Sequence, residues 1–247
     1  MNKIKRIALI TGSAKRIGAS IARHLHNLDI NIMIHHNQSY EEASELAKEL
    51  NKKRANSAAT VQANLLHSDS YTKVISEVIS VFGQLDFLIN NASTYYATPI
   101  HTINQENWDD LMGTNLKAPL MLSQSAVKYL EKTKGSIINI TDAQIQNPKN
   151  DYVVYSLAKS GLTTLTKALA KNLGPNIRVN AIAPGAILWP DSNQEMDENY
   201  RKSVVSQTLL KQMGCPEDIC SAVEYLLLHA SYVTGQTITV DGGRKYS

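Results

Sequence analysis

The stretch Ile7-Ala8-Leu9-Ile10-Thr11-Gly12-Ser13-Ala14-Lys15-Arg16-Ile17-Gly18 decides the fold. Four apolar residues read as a short buried strand, and Thr11-Gly12 ends it too early for the apolar run of a signal peptide. The segment after Gly18 turns helical, with Ile21, Leu25 and Leu28 spaced by four and three. Gly12 permits the tight turn between strand and helix, and Gly18 lets the helix pack closely on the strand. Such a strand–turn–helix unit turns a helix N-terminus, with its unbonded N–H groups and positive dipole end, toward a pyrophosphate. Two glycines at this spacing are a weak signal alone, so the rest of the chain must supply the context.

It does so by alternation. Strand-like runs recur at Ile7–Ile10, Ile30–Ile34, Ala58–Val61, Phe87–Ile89, Ser136–Ile140, Ile177–Ile182 and Thr237–Val240. Helical stripes lie between them: Ala43, Leu46 and Leu50 behind a Ser39-x-x-Glu42 capping box, then Val74, Val78, Val81 and Phe82. Leu162, Leu165, Leu169 and Leu173 form another, and Ile219, Val223, Leu226 and Leu227 the last. Strands apolar on both faces that alternate with helices predict a parallel sheet covered on both sides, an α/β doubly wound fold. The 247 residues show no linker, repeat or low-complexity tract, so one domain spanning 1–247 with strand order 3-2-1-4-5-6-7 is expected. A polar, irregular stretch over about 184–205, carrying Pro184, Trp189 and Pro190, reads as a substrate lid.

Composition excludes several classes. A formal charge of +3, with Lys and Arg scattered, argues against nucleic acid or a membrane surface as partner. No run approaches the roughly 18 apolar residues of a membrane helix. Cys215 and Cys220 lack a metal-ligand spacing and a histidine cluster, which implies reduced thiols in a cytoplasmic protein without a metal site.

The choice of dinucleotide turns on the end of the second strand. An acid there would take a free ribose 2′-hydroxyl, but the chain reads His35-His36-Asn37-Gln38-Ser39. Lys15 and Arg16 stand in the turn itself, and cations without a repelling carboxylate favour the 2′-phosphate of NADP(H). Further along, Tyr155-Ser156-Leu157-Ala158-Lys159 places a phenol and an ammonium on one helical face, where the cation is expected to make the phenol a better acid.

With Asn90-Asn91-Ala92, Asn115, Arg178-Val179-Asn180, Pro184-Gly185 and Asp241-Gly242-Gly243, these pieces resemble the short-chain dehydrogenase/reductase family over essentially the full length. The resemblance implies Tyr155 as proton donor, Lys159 as ribose ligand and modulator of Tyr155, and Asn115 as holder of a water on the proton path. It implies a homotetramer with contacts through helices near Trp108–Ser125 and Tyr155–Leu173 and the C-terminal segment. It also places cofactor contacts at Gly12, Lys15, Arg16, Ile17, Gly18, His35, Asn37, Gln38, Ser39, Asn64, Leu65, Asn91, Ala92, Ser93, Ile140, Pro184, Gly185, Ala186 and Ile187.

Three departures narrow this. Asp142 stands 13 residues before Tyr155, where the family usually has a serine that donates to a substrate carbonyl. Arg16 replaces the middle glycine of the turn, and Ser93 follows Asn90-Asn91-Ala92 with Tyr95 two residues on. Together these resemble the pteridine reductase branch. That likeness implies reduction of a dihydropterin, with activity on dihydrofolate in some members. Tyr95 is then expected to stack on the pterin, with Tyr96 as its rival. Arg16 and Ser93 are expected to bond the ring and the cofactor phosphates, Asp142 and Tyr155 to contact the substrate, and Trp189 to close the lid. Gln38, Asn64 and Leu188 depart from the branch. Two other readings stay open: a carbonyl or 3-oxoacyl-thioester reductase of the same family, and a non-catalytic NADP-binding sensor, against which the intact Tyr155, Lys159 and Asn115 argue.

Overall fold

A computed structural model describes residues 5–188 and 198–244. Seven strands, β1 (Ile7–Ile10), β2 (Asn31–His36), β3 (Ala58–Gln62), β4 (Phe87–Asn90), β5 (Ser136–Ile140), β6 (Arg178–Pro184) and β7 (Thr237–Val240), form one sheet. All pairings are parallel, in the order β3-β2-β1-β4-β5-β6-β7. This is the Rossmann-type doubly wound α/β arrangement that the alternation predicts. β2, β3, β4 and β6 each run one or two residues beyond the apolar stretches seen in sequence. The last residues of β2, β3 and β4, His36, Gln62 and Asn90, are polar and carry no hydrophobic signal, while β6 runs on through Ala183 to Pro184.

The helices are α1 (Arg16–Asn27), α2 (Tyr40–Lys53), α3 (Ser70–Phe82), α4 (Gln105–Met112), α5 (Ala118–Thr133), α6 (Val153–Leu173), α7 (Glu198–Ser206) and α8 (Pro216–Glu224). Alternation along each strand sends side chains to opposite faces, and two cores result. Ala8 and Ile10 of β1 pack with Ile21, Leu25, Leu46, Leu50, Ile219 and Val223 from α1, α2 and α8. Ile7 and Leu9 pack with Val74, Val78, Leu122 and Ala126 from α3 and α5. Among the described residues no helix is long and apolar enough to cross a membrane, and no three His, Cys, Asp or Glu side chains gather as a metal site would require.

One sequence expectation fails locally and one is refined. Ser39 sits at the N-cap of α2 but its side chain makes no cap bond. Glu42, the intended partner, reaches instead to Lys15, 2.5 Å away. In α6 the fully buried line is Ala158, Leu162, Thr166 and, nearly so, Ala170, while Leu165, Leu169 and Leu173 are only half-buried. Small residues let this long helix lie close to the sheet, and the leucines fill the flanks.

Candidate active site

The strand order reverses between β1 and β4, and crevices beyond the C-terminal ends of strands form at such switch points. A groove of about 930 Å³ opens there. Of the sequence-predicted cofactor residues, Gly12, Lys15, Arg16, Ile17, Gly18, His35, Asn37, Gln38, Asn64, Leu65, Asn91, Ala92, Ser93, Ile140, Pro184, Gly185 and Ala186 line it. Ser39 and Ile187 do not. Ile187 is buried behind the wall, where a Cβ on Gly214 would come within 2.6 Å of its Cδ1. Trp189 lies outside the described residues, as does the middle of the expected lid.

The turn between β1 and α1 is held from both sides. Thr11 Oγ1 accepts from the N–H groups of Asn91 and Ala92 (2.9 and 3.0 Å), and Asn91 Nδ2 donates back to the carbonyls of Thr11 and Gly12. A Cβ on Gly12 would meet Ala92 Cα at 2.9 Å, and one on Gly18 would meet Asn91 Nδ2 and the Gly12 carbonyl at 2.6 Å. The two glycines and the Asn-Asn-Ala segment therefore form one packed unit. Gly185 repeats the logic: a Cβ there would lie 2.6 Å from Asp241 Cα, so Pro184-Gly185 and Asp241-Gly242-Gly243 occur together because they touch.

Arg16 sits where the fingerprint has a glycine, and its φ of 55° is left-handed. For a residue with a Cβ this conformation costs about 1–3 kcal/mol, the kind of strain that persists where a function holds it. Lys15 is engaged with Glu42, but both partners are about half exposed. An exposed pair is worth roughly 0–1 kcal/mol, so an arriving phosphate can draw the ammonium away. Asn64 spends its Oδ1 on the Leu66 N–H, closing the loop after β3.

At the far end of the groove Tyr155 is buried and its hydroxyl donates to Asp142 Oδ2 at 2.7 Å. Asp142 Oδ1 accepts from the Gln144 N–H, also at 2.7 Å, which fixes the carboxylate at the start of a short 3₁₀ turn. Lys159, one turn further along α6, donates from Nζ to the Ile140 carbonyl at 2.9 Å. Its Nζ stays 5.9 Å from the Tyr155 ring centre. The structure thus corrects the expected electrostatics. Burial first, and then the neighbouring carboxylate, push the Tyr155 hydroxyl upward and keep it protonated. Burial brings Lys159 down to about 8, with Asp142 opposing the shift, so the ammonium remains mostly charged at neutral pH.

Asn115 lies in a π-helical turn (Gly113–Lys117) between α4 and α5, fully buried behind the groove wall. Its Oδ1 accepts from Ser93 Oγ at 2.6 Å, and its Nδ2 donates to the carbonyls of Leu111 and Thr94. Tyr95 faces the groove, stacked on Tyr152 with ring centres 4.6 Å apart and edge-on to Tyr155 at 4.8 Å. Its rival Tyr96 packs against Leu111, Val154 and Tyr155 instead. Sequence reasoning missed Tyr152, Lys149 and Gln144, which line the same end, and Arg244, which also borders the groove. Their only signal was proximity to Tyr155 or to the C-terminal motif.

The site fits a nicotinamide dinucleotide. The first turn of α1 presents N–H groups that no carbonyl of the helix can take, and three positions in the wall tolerate no Cβ.

Known proteins agree with this architecture. A protein-family model described as enoyl-(acyl carrier protein) reductase matches residues 12–245. The 3-oxoacyl-(acyl-carrier-protein) reductase FabG of Staphylococcus aureus is 35% identical over 246 residues, covering 98% of each chain. Pteridine reductase 1 of Leishmania tarentolae is 33% identical over 278 residues, covering 96% of this chain and 95% of its own. Glucose 1-dehydrogenase 2 of Bacillus subtilis is 31% identical over 244 residues, covering 96% and 94%. The chain is an oxidoreductase belonging to the short-chain dehydrogenase/reductase family.

Proposed function

We propose that this chain uses NADPH to reduce a dihydropterin, or a closely related nitrogen-rich bicyclic ring, to its tetrahydro form. The observation that carries the reading is the Asp142 carboxylate, held by the Gln144 N–H and bonded to the Tyr155 hydroxyl. An ionised carboxylate accepts hydrogen bonds and donates none. It would repel the oxyanion that develops when a carbonyl is reduced. It suits the N–H donors along the edge of an aminopyrimidine ring, and beside a phenol it suits proton delivery to nitrogen.

In this reading Gly12, Gly18, Gly185 and the first turn of α1 hold the dinucleotide, Arg16 and Lys15 meet its 2′-phosphate, and Lys159 binds its ribose with the two donors left after the Ile140 bond. When bound, NADPH supplies the hydride. Tyr155 and Asp142 act as one protonic unit, in which the proton sits on the phenol and the carboxylate orients it. The proton passes from the Tyr155 oxygen to the ring nitrogen, and the phenol takes a proton back from solvent after release. Tyr95 offers a flat aromatic face to the substrate ring, backed by Tyr152. Asn115 holds Ser93 and the segment after β4 in place behind the site. Exposed Trp108, Leu120, Val153 and Leu157 on α4, α5 and α6 support association between copies, which we read as a tetramer.

A second reading is reduction of a 3-oxoacyl thioester. Overall sequence likeness favours it, because the Staphylococcus aureus relative is 35% identical against 33% for the Leishmania tarentolae relative. That margin is spread over the whole scaffold, whereas the substrate distinction rests on position 142. Steady-state assays with NADPH on a 7,8-dihydropterin and on an acetoacetyl thioester separate the two. Turnover of the dihydropterin with little thioester activity is expected, and the reverse would overturn the proposal.

A further inference from the structure

The imidazole of His35 does work that neither a dinucleotide fingerprint nor a catalytic motif assigns to it. His35 is the fifth residue of β2 and is 2% exposed. Its Nδ1 accepts from the Gly12 N–H at 3.1 Å, and its backbone carbonyl accepts from the Ser13 N–H at 3.0 Å. Nε2 lies 3.1 Å from the Ala63 carbonyl just beyond β3. Because Nδ1 receives a donor, the ring hydrogen sits on Nε2 and points to Ala63. Burial holds the imidazole neutral, bringing it down to about 4, so this tautomer persists through the neutral range.

The turn it touches needs outside support. Gly12 (φ 60°) and Arg16 (φ 55°) both occupy left-handed backbone within five residues. On one side Asn91 grips the carbonyls of Thr11 and Gly12. On the other side the N–H groups of Gly12 and Ser13 are both consumed by His35. What remains facing the groove is the first turn of α1, whose direction the two grips determine.

We infer that His35 is a positioning residue that clamps the phosphate turn through Nδ1 and thereby pre-orients the α1 N-terminus for a nicotinamide nucleotide. The inference rests on the reading that such a nucleotide binds in this groove. It predicts weaker binding of NADPH and NADH alike when the clamp is broken, with the chemistry at the Asp142–Tyr155 end unchanged.

The two ring nitrogens can be separated. Asparagine places an oxygen near the Nδ1 position and keeps the acceptor for Gly12 while losing the bond to Ala63. Glutamine places an amide nitrogen near Nε2, keeping the bond to Ala63 and losing the acceptor. The experiment titrates NADPH and NADH into the unaltered protein, His35→Asn and His35→Gln, and measures kcat at saturating NADPH and the thermal midpoint of each. His35→Gln is expected to weaken both nucleotides about tenfold or more, the loss that follows when a buried donor is left without its acceptor. His35→Asn is expected to stay within about threefold, and kcat to change little in either. Equal nucleotide affinity in the two variants overturns the clamp, even if both melt earlier, because a merely structural ring would not distinguish its nitrogens in this way. Failure of the unaltered protein to bind either nucleotide overturns the cofactor reading, and the clamp with it. A measurement without substitution stands beside these: nitrogen NMR of the imidazole is expected to show the Nε2–H tautomer with and without NADPH, and an Nδ1–H tautomer overturns the inference.

Discussion

At the β1–α1 end of the groove, Thr11, His35, Asn64 and Asn91 are all bonded to backbone atoms. At the other end the decisive bonds join side chain to side chain: Tyr155 to Asp142, Ser93 to Asn115, and the ring of Tyr95 to that of Tyr152. A wall tied through backbone changes only by rebuilding the turn, whereas a side-chain pair changes with one substitution. The first kind suits a ligand shared by many enzymes, and the second is where related enzymes diverge. This is why a two-point difference in identity between an acyl-carrier-linked reductase and a pteridine reductase leaves the substrate open.

Four experiments bear on this contrast. The largest effect belongs to Tyr155→Phe. General acid–base groups are worth about 10²–10⁴-fold, so turnover should fall at least about a hundredfold while NADPH affinity stays nearly constant. A matching loss of affinity would mean that the two ends are not separable.

The second concerns Lys159, which joins them. Its ammonium is lowered to about 8 in the folded protein against an ordinary 10.5. Between these values the unfolded chain holds the proton and the folded chain does not, so stability rises with pH across that window. Relative to Lys159→Met, the unaltered protein should gain on the order of a few kcal/mol from pH 8 to 10.5, read from denaturant midpoints. A flat difference would place the ammonium in a more solvated setting.

Third, Gly18→Ala forces a methyl against Asn91 Nδ2 and the Gly12 carbonyl, both backed by the packed turn. Overpacking of this kind costs about 1–3 kcal/mol, so the melting temperature and NADPH affinity should fall together. Tolerance of the methyl would show that the turn is softer than its bonds suggest.

The smallest effect is that of Arg16→Gly. It relieves a left-handed conformation and removes a cation, so stability should hold or rise while the preference for NADPH over NADH drops about tenfold, roughly 1.4 kcal/mol. An unchanged preference would assign the 2′-phosphate elsewhere, and Lys15 would be the next residue to test.

The same contrast explains what was legible in the sequence. The strand order, the glycine turn and the Asn-Asn-Ala segment were readable because backbone geometry demands particular residues at particular spacings. Tyr155 and Lys159 were readable through a four-residue helical interval. The stacking of Tyr95 on Tyr152 and the grip of His35 on Gly12 were not, because each joins segments 23 or more residues apart through side-chain direction alone. The direction of the Tyr155 shift is not legible in the sequence for a related reason: spacing places a cation on the right face, but only the structure puts the carboxylate in contact with the phenol while the ammonium stays 5.9 Å from its ring centre. Ser39 makes no capping box, because Glu42 pairs instead with Lys15 in the turn before α1.

The proposed selection of a nitrogen-rich ring over a carbonyl falls to the carboxylate at position 142. It is tested most directly by assaying Asp142→Ser with NADPH on both a 7,8-dihydropterin and an acetoacetyl thioester, with cofactor affinity measured separately. Pterin reduction is expected to fall by about a hundredfold or more, thioester reduction to hold or improve, and NADPH binding to stay nearly intact. Retention of most of the pterin activity in Asp142→Ser would contradict it.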